Sequence, residues 1–424
     1  MTASLSPARR PVQHRPRRAA RGQSPFLSGG FRPFFLGAGV WACLAVPLWI
    51  AVLSGVLALP ETIDPLAWHR HELVFGYGGA VVAGFVFTAV PNWTGRLPLA
   101  GAPLAAFALL WLAGRVLLLT GTPPQPWIAA GVDAAFLILL DLFVIREVVP
   151  ARNWRNLPIC VLIGVLALAN GLSHLEMSGI VADQGLGWRG GVAVLVGLIS
   201  LIGGRIVPSF TTNWLLKQGD SRPARPFDRY DRLVLAATMA ALACWAFDIA
   251  GAASGGLAGA ALTGPTLASM MVAGLFVAVG LAHLARLARW RGWRTGGEAL
   301  VLILHLGYAW IPAGFILLGI ASLGHGDLTT AALHAWTAGA IGTMTLAVMT
   351  RASLGHSGRA LTAGRAVRAS YALVLVAAAL RVAAPLLPLP YLTALQISAA
   401  AWSLGFGLFV VTYAPIFLRP RAGA

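Results

Sequence analysis

The residues of this chain best suited to chemistry are its nine histidines. His14 stands in a polar N-terminal arm. The other eight lie in or beside long apolar runs. His69 and His71 flank Arg70 at the start of the second run, and His174, His283, His305 and His334 fall within four further runs. His325 lies in a connection and His356 just after the tenth run. An imidazole inside an apolar segment is costly and normally faces a packed interior or a cavity. Taken singly, each is accounted for equally well by a hydrogen bond between helices. Taken together they form a metal-site pattern, because histidine is the commonest metal ligand and facing helices hold metals by inward side chains. Imidazole suits iron and copper, and a proximal histidine suits haem. His71, His174, His305 and His334, from four different runs, are the leading cofactor ligands. Arg205, an arginine inside a run, joins them as a cofactor-binding candidate.

Spacing refines the set. Asn170, His174 and Ser178 are four apart and form one polar stripe on a helix, while Tyr308 lies one turn beyond His305. His334, Thr337 and Thr345 share a face. His69 and His71 are two apart and point nearly oppositely on a regular helix, so either one faces the core or the helix begins between them. Carboxylates are few. Glu72 and Glu176 sit beside His71 and His174, and Asp133, Asp141 and Asp248 lie within runs. Each is explained by a helix end or by pairing with Arg115, Arg205 or Arg381. The functional alternative is a proton path or partners for haem propionates. Cys43, Cys160 and Cys244 all lie in apolar runs without metal-ligand spacing and read as small buried hydrophobes.

These side chains must be positioned by membrane helices. The chain of 424 residues is 58% hydrophobic and only 11% charged, where a soluble domain carries roughly 25% charged residues. Its apolar runs are about 20 residues long with little alternation, the length of a membrane-spanning helix rather than of a barrel strand. The fold class is therefore all-α, a polytopic transmembrane helical bundle with about 12 spans. The spans read as 34–59, 72–92, 99–120, 127–146, 157–180, 190–209, 232–253, 261–286, 297–322, 328–350, 370–388 and 391–417. Residues 1–32 form a disordered basic arm, 33–418 one transmembrane domain and 419–424 a short tail. The arm holds Arg9-Arg10 and Arg17-Arg18, the pattern of a twin-arginine export signal. The full-length run after it ends without a small-residue cleavage site, which favours a retained first helix.

The net charge of +17 points to a membrane surface, not to nucleic acid. With the N-terminus inside, 26 of the 31 basic residues fall in cytoplasmic segments, and only Arg70 and Arg189 lie on the other side. Arg115, Arg205 and Arg381 are within spans. The positive-inside rule is thus obeyed along the whole chain, with both termini cytoplasmic. On these depths His71, His174 and His334 stand in the outer half. His305, at about 1.5 Å per residue, is close enough to join them in one outer-half cavity. His283 and His356 lie near the inner surface, as a second site or as helix-end hydrogen bonders.

Several stretches resemble one known family. Gly30-Phe31-Arg32-Pro33-Phe34-Phe35 opens the first span, and WHRHELVFGY (68–77) and TAVPNWTGRLP (88–98) bracket the second. NWRN (153–156) precedes the fifth, which carries HLE (174–176). GGRIVPSFTTNW (203–214), HLARLARW (283–290), LHLGYAW (304–310) and the long stretch 333–363 follow in order. Together they resemble the NnrS family of bacterial inner-membrane proteins, over essentially all of the chain after the arm. The resemblance implies haem b and copper as cofactors and a role in nitric oxide metabolism and resistance to nitrosative stress. By matching motif it implies His69, His71, His174, His283, His305, His334 and His356 as the metal-site histidines. Nitric oxide is the implied ligand, the lipid bilayer the surroundings, and a quinol or a cytochrome the electron donor. Turnover of nitric oxide by a membrane oxidoreductase and protection of cellular iron both fit. A transporter or channel using intramembrane His and Arg is the rival class.

Overall fold

The computed structural model describes residues 24–60, 64–120, 126–249 and 266–423. Among them there is no strand, and twelve helices follow in order. They are α1 (Phe31–Leu53), α2 (Pro65–Thr94), α3 (Ala102–Thr120), α4 (Pro126–Val148), α5 (Leu157–Met177) and α6 (Leu186–Lys217). Then come α7 (Arg229–Ala246), α8 (Leu267–Arg289), α9 (Ala299–Ala321), α10 (Gly326–His356), α11 (Arg365–Ala383) and α12 (Tyr391–Leu418). Eleven of these are long and apolar enough to cross a membrane. The remaining one is α7, at the place of the expected seventh span. Its 18 residues include Arg229, Asp231 and Arg232 at the start, and 250–265, which the sequence assigns partly to its end, lie outside the described residues. The chain is a multi-pass helical membrane protein.

Successive helices pack on one another, and α1 closes against α12. Four helices are central. In α2, α6, α10 and α9, 72%, 72%, 67% and 61% of the apolar window is buried, against 22–33% in α1, α3, α4, α8 and α11. The outer helices turn bare apolar side chains outward, such as Leu109, Leu168 and Val411, which only lipid would cover.

The ends of the helices are set by local chemistry. Asp64 Oδ1 accepts from the Ala67 N–H at 2.6 Å, with Pro65 in the first turn. That cap starts α2 seven residues before the expected 72. Glu176 takes the N–H groups of Leu186 and Gly187 at 2.8 and 3.0 Å, so this carboxylate caps α6. Asp228 and Asp231 form a capping box on α7.

Two boundaries move inward from the expected arm. Residues 25–27 form a 3-10 turn, and α1 begins at Phe31. Arg32, placed by sequence in the arm, is buried and donates to the carbonyls of Phe417 and Arg419 at 2.7 and 2.6 Å. It ties the start of α1 to the end of α12. The rest of the arm, 1–23, lies outside the described residues.

Two of the central helices are interrupted by π-helical turns. Glu72–Tyr77 follows His71 directly in α2, and Ala335–Gly342 follows His334 directly in α10. Such turns are rare, widen the helix locally and occur often at functional sites.

Candidate functional site

The first cluster is built on α2. His71 comes one residue before its π turn and points into the space between α2, α4 and α5. Its Nε2 lies 2.9 Å from Asn170 Oδ1 and 3.2 Å from Asp133 Oδ2. His174 Nε2 is 2.9 Å from the same Asp133 oxygen, and Asn170 Nδ2 donates to it at 2.9 Å. The two imidazole centroids are 4.6 Å apart. The four-residue stripe expected on the fifth span therefore delivers Asn170 and His174 to one carboxylate. Ser178 instead bonds the Leu175 carbonyl at 3.0 Å, on the surface. His71, Asp133 and His174 each offer a ligand atom within 4.8 Å of the others, a spacing that could hold one metal ion.

Arg115 and Glu72 complete this cluster. Arg115 donates to Asp133 Oδ1, and its Nε lies 3.4 Å from Glu72 Oε2. Glu72 Oε1 is 3.4 Å from His71 Nδ1. Asp133, Glu72 and Arg115 are all almost fully buried. Two carboxylates thus face one guanidinium, so the acidic side chains of the cluster outnumber its arginine by one. Glu72 Oε2 and Arg115 Nη1 are buried with no hydrogen-bond partner among the described residues. Burying an excess carboxylate is expensive unless a cation joins it. Gly76 makes the arrangement sterically possible, since a Cβ there would come 2.2 Å from Arg115 Nη1. Its carbonyl, in the π turn, accepts from Trp111 Nε1 at 2.8 Å.

The second site is a cavity of about 570 Å³ on the other side of α2, walled by α1, α2, α6, α10, α11 and α12. His69 and His334 line it together with Arg70, Arg381, Tyr77 and Trp402, and most of its wall is apolar. His69 stacks on Trp49, with ring centroids 4.7 Å apart and planes at 14°. Its Nδ1 is buried without a hydrogen-bond partner among the described residues. His334 Nδ1 donates to the Thr330 carbonyl at 2.8 Å, which fixes the ring and leaves Nε2 free to act as a ligand. Arg70 lies over Trp188 and Arg381 over Tyr391. No acidic side chain lines this cavity among the described residues.

The remaining candidates fall elsewhere. His305 faces Thr211 at 2.8 Å and packs beside Trp290 and under Gly292, outside the cavity. His283 has both nitrogens engaged, with Tyr308 and Thr238 each at 2.9 Å. There it joins a buried chain of Tyr308, Arg286 and Asp231, in which Arg286 Nε donates to Asp231 at 2.6 Å. His356 is exposed near Phe31 at the end of α10. Arg205 donates to the Asn156 side chain at 3.0 Å and the Arg155 carbonyl at 3.2 Å, and reaches neither site.

The expected single cavity with His71, His174, His305 and His334 is therefore corrected to two sites. The pairs are His71 with His174 and His69 with His334, and His305 belongs to neither. The reason is the earlier start of α2, which puts His69 and His71 inside the helix on opposite faces. Arg70 and Arg381 were not among the expected cofactor residues, and Asp133, read as a helix-end or ion-pair carboxylate with a proton path or propionate partner as its functional alternative, was not among the expected metal ligands. The signals for them were present in the Asp64-Pro65 cap and in the pairing of two rare in-span charges, Arg115 and Asp133.

Comparison with known proteins bears on the whole chain. No curated protein matches it. The family model described as NnrS protein matches residues 25–421, which takes in all twelve helices and every residue of both sites. The chain belongs to the NnrS family.

Proposed function

We propose that this protein binds haem b and copper and binds or redox-processes nitric oxide, as part of nitric oxide metabolism and nitrosative-stress resistance in the bacterial inner membrane. The observation that carries this reading is the division of labour on α2. His71 meets His174 and Asp133 on one face, while His69, two residues earlier, meets the His334 cavity on the other.

The residues fit the two cofactors. A volume of about 570 Å³ falls within the roughly 300–1,000 Å³ typical of cofactor sites. The wall is apolar, two imidazoles come from facing helices, and Arg70 and Arg381 supply the cations that carboxylate-bearing propionates need. His69 and His334 are the residues that would hold the haem iron. His71, His174 and Asp133 are those that would hold copper, whose positive charge would offset the surplus carboxylate of that cluster. Imidazole donors suit copper, and zinc has no redox chemistry to offer here. When bound, these metals supply a site for nitric oxide and for one-electron transfer. The protein's own part is to fix the imidazoles through Thr330, Asn170 and Glu72, to exclude water with an apolar wall, and to hold the charges of Arg115, Arg70 and Arg381 in place. A quinol or a cytochrome is the electron donor in this reading.

Titrating the purified, reduced protein with nitric oxide tests it. The expected result is a Soret band that shifts on addition and a copper content near one per chain. A colourless protein made with ample haem would sink the proposal. It would favour instead a transporter for an anion, a reading supported by the two arginines in a cavity that no acidic side chain lines among the described residues.

A further inference from the structure

A second space lies against the histidine-lined cavity. It measures about 80 Å³ and sits at mid-span between α2, α6 and α10, lined by residues such as Val82, Leu198, Ile202 and Met344. Thr345 is the one polar side chain in its wall, and its hydroxyl is taken up by the Ile341 carbonyl at 2.6 Å and Tyr77 at 2.5 Å. A water there would find none of the two to four polar partners it needs, so the space is dry, of the kind that accepts xenon. Leu195 and Ile341 line both this space and the larger cavity. Leu195 packs on Gly78, where a Cβ would come within 2.7 Å of its Cδ1, at the boundary that it shares between the two spaces. On the other side the rim consists of Phe85, Ile199, Ile206 and Val348, which are only partly buried. In a membrane-spanning bundle that rim faces hydrocarbon.

We propose that this apolar space is an entry pocket for a small uncharged gas, passing it from the bilayer interior to the histidine-lined cavity beside Leu195 and Ile341. The size selects the occupant. The space is far smaller than the cavity it adjoins, it offers no group to an ion or a headgroup, and an uncharged diatomic dissolves in the hydrocarbon at its rim. The identity of that gas as nitric oxide rests on the haem reading above, whereas the existence of the pocket does not.

The test has two arms. Xenon-pressurised crystals of the full protein should show xenon bordered by Leu198 and Met344, with or without haem. In the haem-loaded protein, rebinding of carbon monoxide after flash photolysis should be several-fold slower in Leu198→Trp and faster in Leu198→Ala, with unchanged haem content and Soret maxima, because Leu198 lines the small space and not the larger cavity. Leu198→Phe serves if the tryptophan variant does not fold. Lipid or detergent chain density filling the groove without xenon would overturn the proposal, as would rebinding rates that neither narrowing nor widening at Leu198 alters. Absence of haem would defeat the haem assignment alone, since the xenon arm still reads the pocket.

Discussion

At the scale of single residues, Asp133 is the centre of the first cluster. Its two oxygens meet Arg115 on one side and His71, His174 and Asn170 on the other. Removing one member of a buried charged group leaves its partner uncompensated, at a cost of about 3–5 kcal/mol. Arg115→Leu should therefore lower the thermal stability of the detergent-solubilised protein markedly. Adding Asp133→Asn and Glu72→Gln to Arg115→Leu should recover much of the loss. If the single and triple variants melted together at the wild-type temperature, the surplus-carboxylate description of this cluster would be wrong. The sequence made the imidazoles visible as an unusual set, but not their pairing. Pairing depends on which way each side chain leaves its helix, and a two-residue spacing reads that only once the start of the helix is known. Asp64 followed by Pro65 was that clue, and it places His69 and His71 one to two turns inside α2.

At the scale of elements, the glycine within the π turn after His71 is what lets Arg115 approach. Gly76 sits where a methyl group would collide with Arg115 Nη1 and stand 2.8 Å from Glu72 Oε2. Gly76→Ala should push the guanidinium off Glu72 and, on the proposed assignment, lower copper per chain while changing haem content little. Metal analysis of the purified variant reads both, and wild-type copper in a folded Gly76→Ala protein would count against the role given to this glycine.

The connection between α6 and α7 gives a second test at this scale. Asp220 is held below the usual carboxylate range, first by the Arg222 N–H at 2.9 Å and then by Arg291 and Arg294 at 3.4 and 3.3 Å. A depressed folded value means that the contribution is complete above the ordinary value of 3.8 and fades as pH falls through the lower folded one. The tie is at the surface, so its loss should loosen this connection without unfolding the bundle. Asp220→Asn at neutral pH should mimic that acid state, seen as faster amide exchange in 218–228 and unchanged exchange in α6. The π turns themselves were not legible, because the widening of a single turn is a matter of backbone geometry that residue type does not signal.

At the scale of the whole molecule, eleven of the twelve helices among the described residues were legible because lipid demands long, internally bonded apolar runs and each left one, whereas α7 left a shorter and more polar one. Of the four central helices only α10 was marked out, by a run clearly less apolar than the others; α2, α6 and α9 are as apolar as the lipid-facing helices. A cytoplasmic N-terminus is our proposal from the split of basic residues. A reporter active only in the cytoplasm should give signal when fused within 217–231 and none near 183, and the reverse pattern would invert the topology.

The most direct measurement is haem and copper per chain in the wild type and in two single variants, with correct folding checked by size-exclusion chromatography. Two separate sites require that His334→Ala lose haem and keep copper, and that His174→Ala lose copper and keep haem. Full haem and full copper in both variants, or parallel loss of both metals in each, would contradict the assignment of His69 with His334 to one site and His71 with His174 to the other.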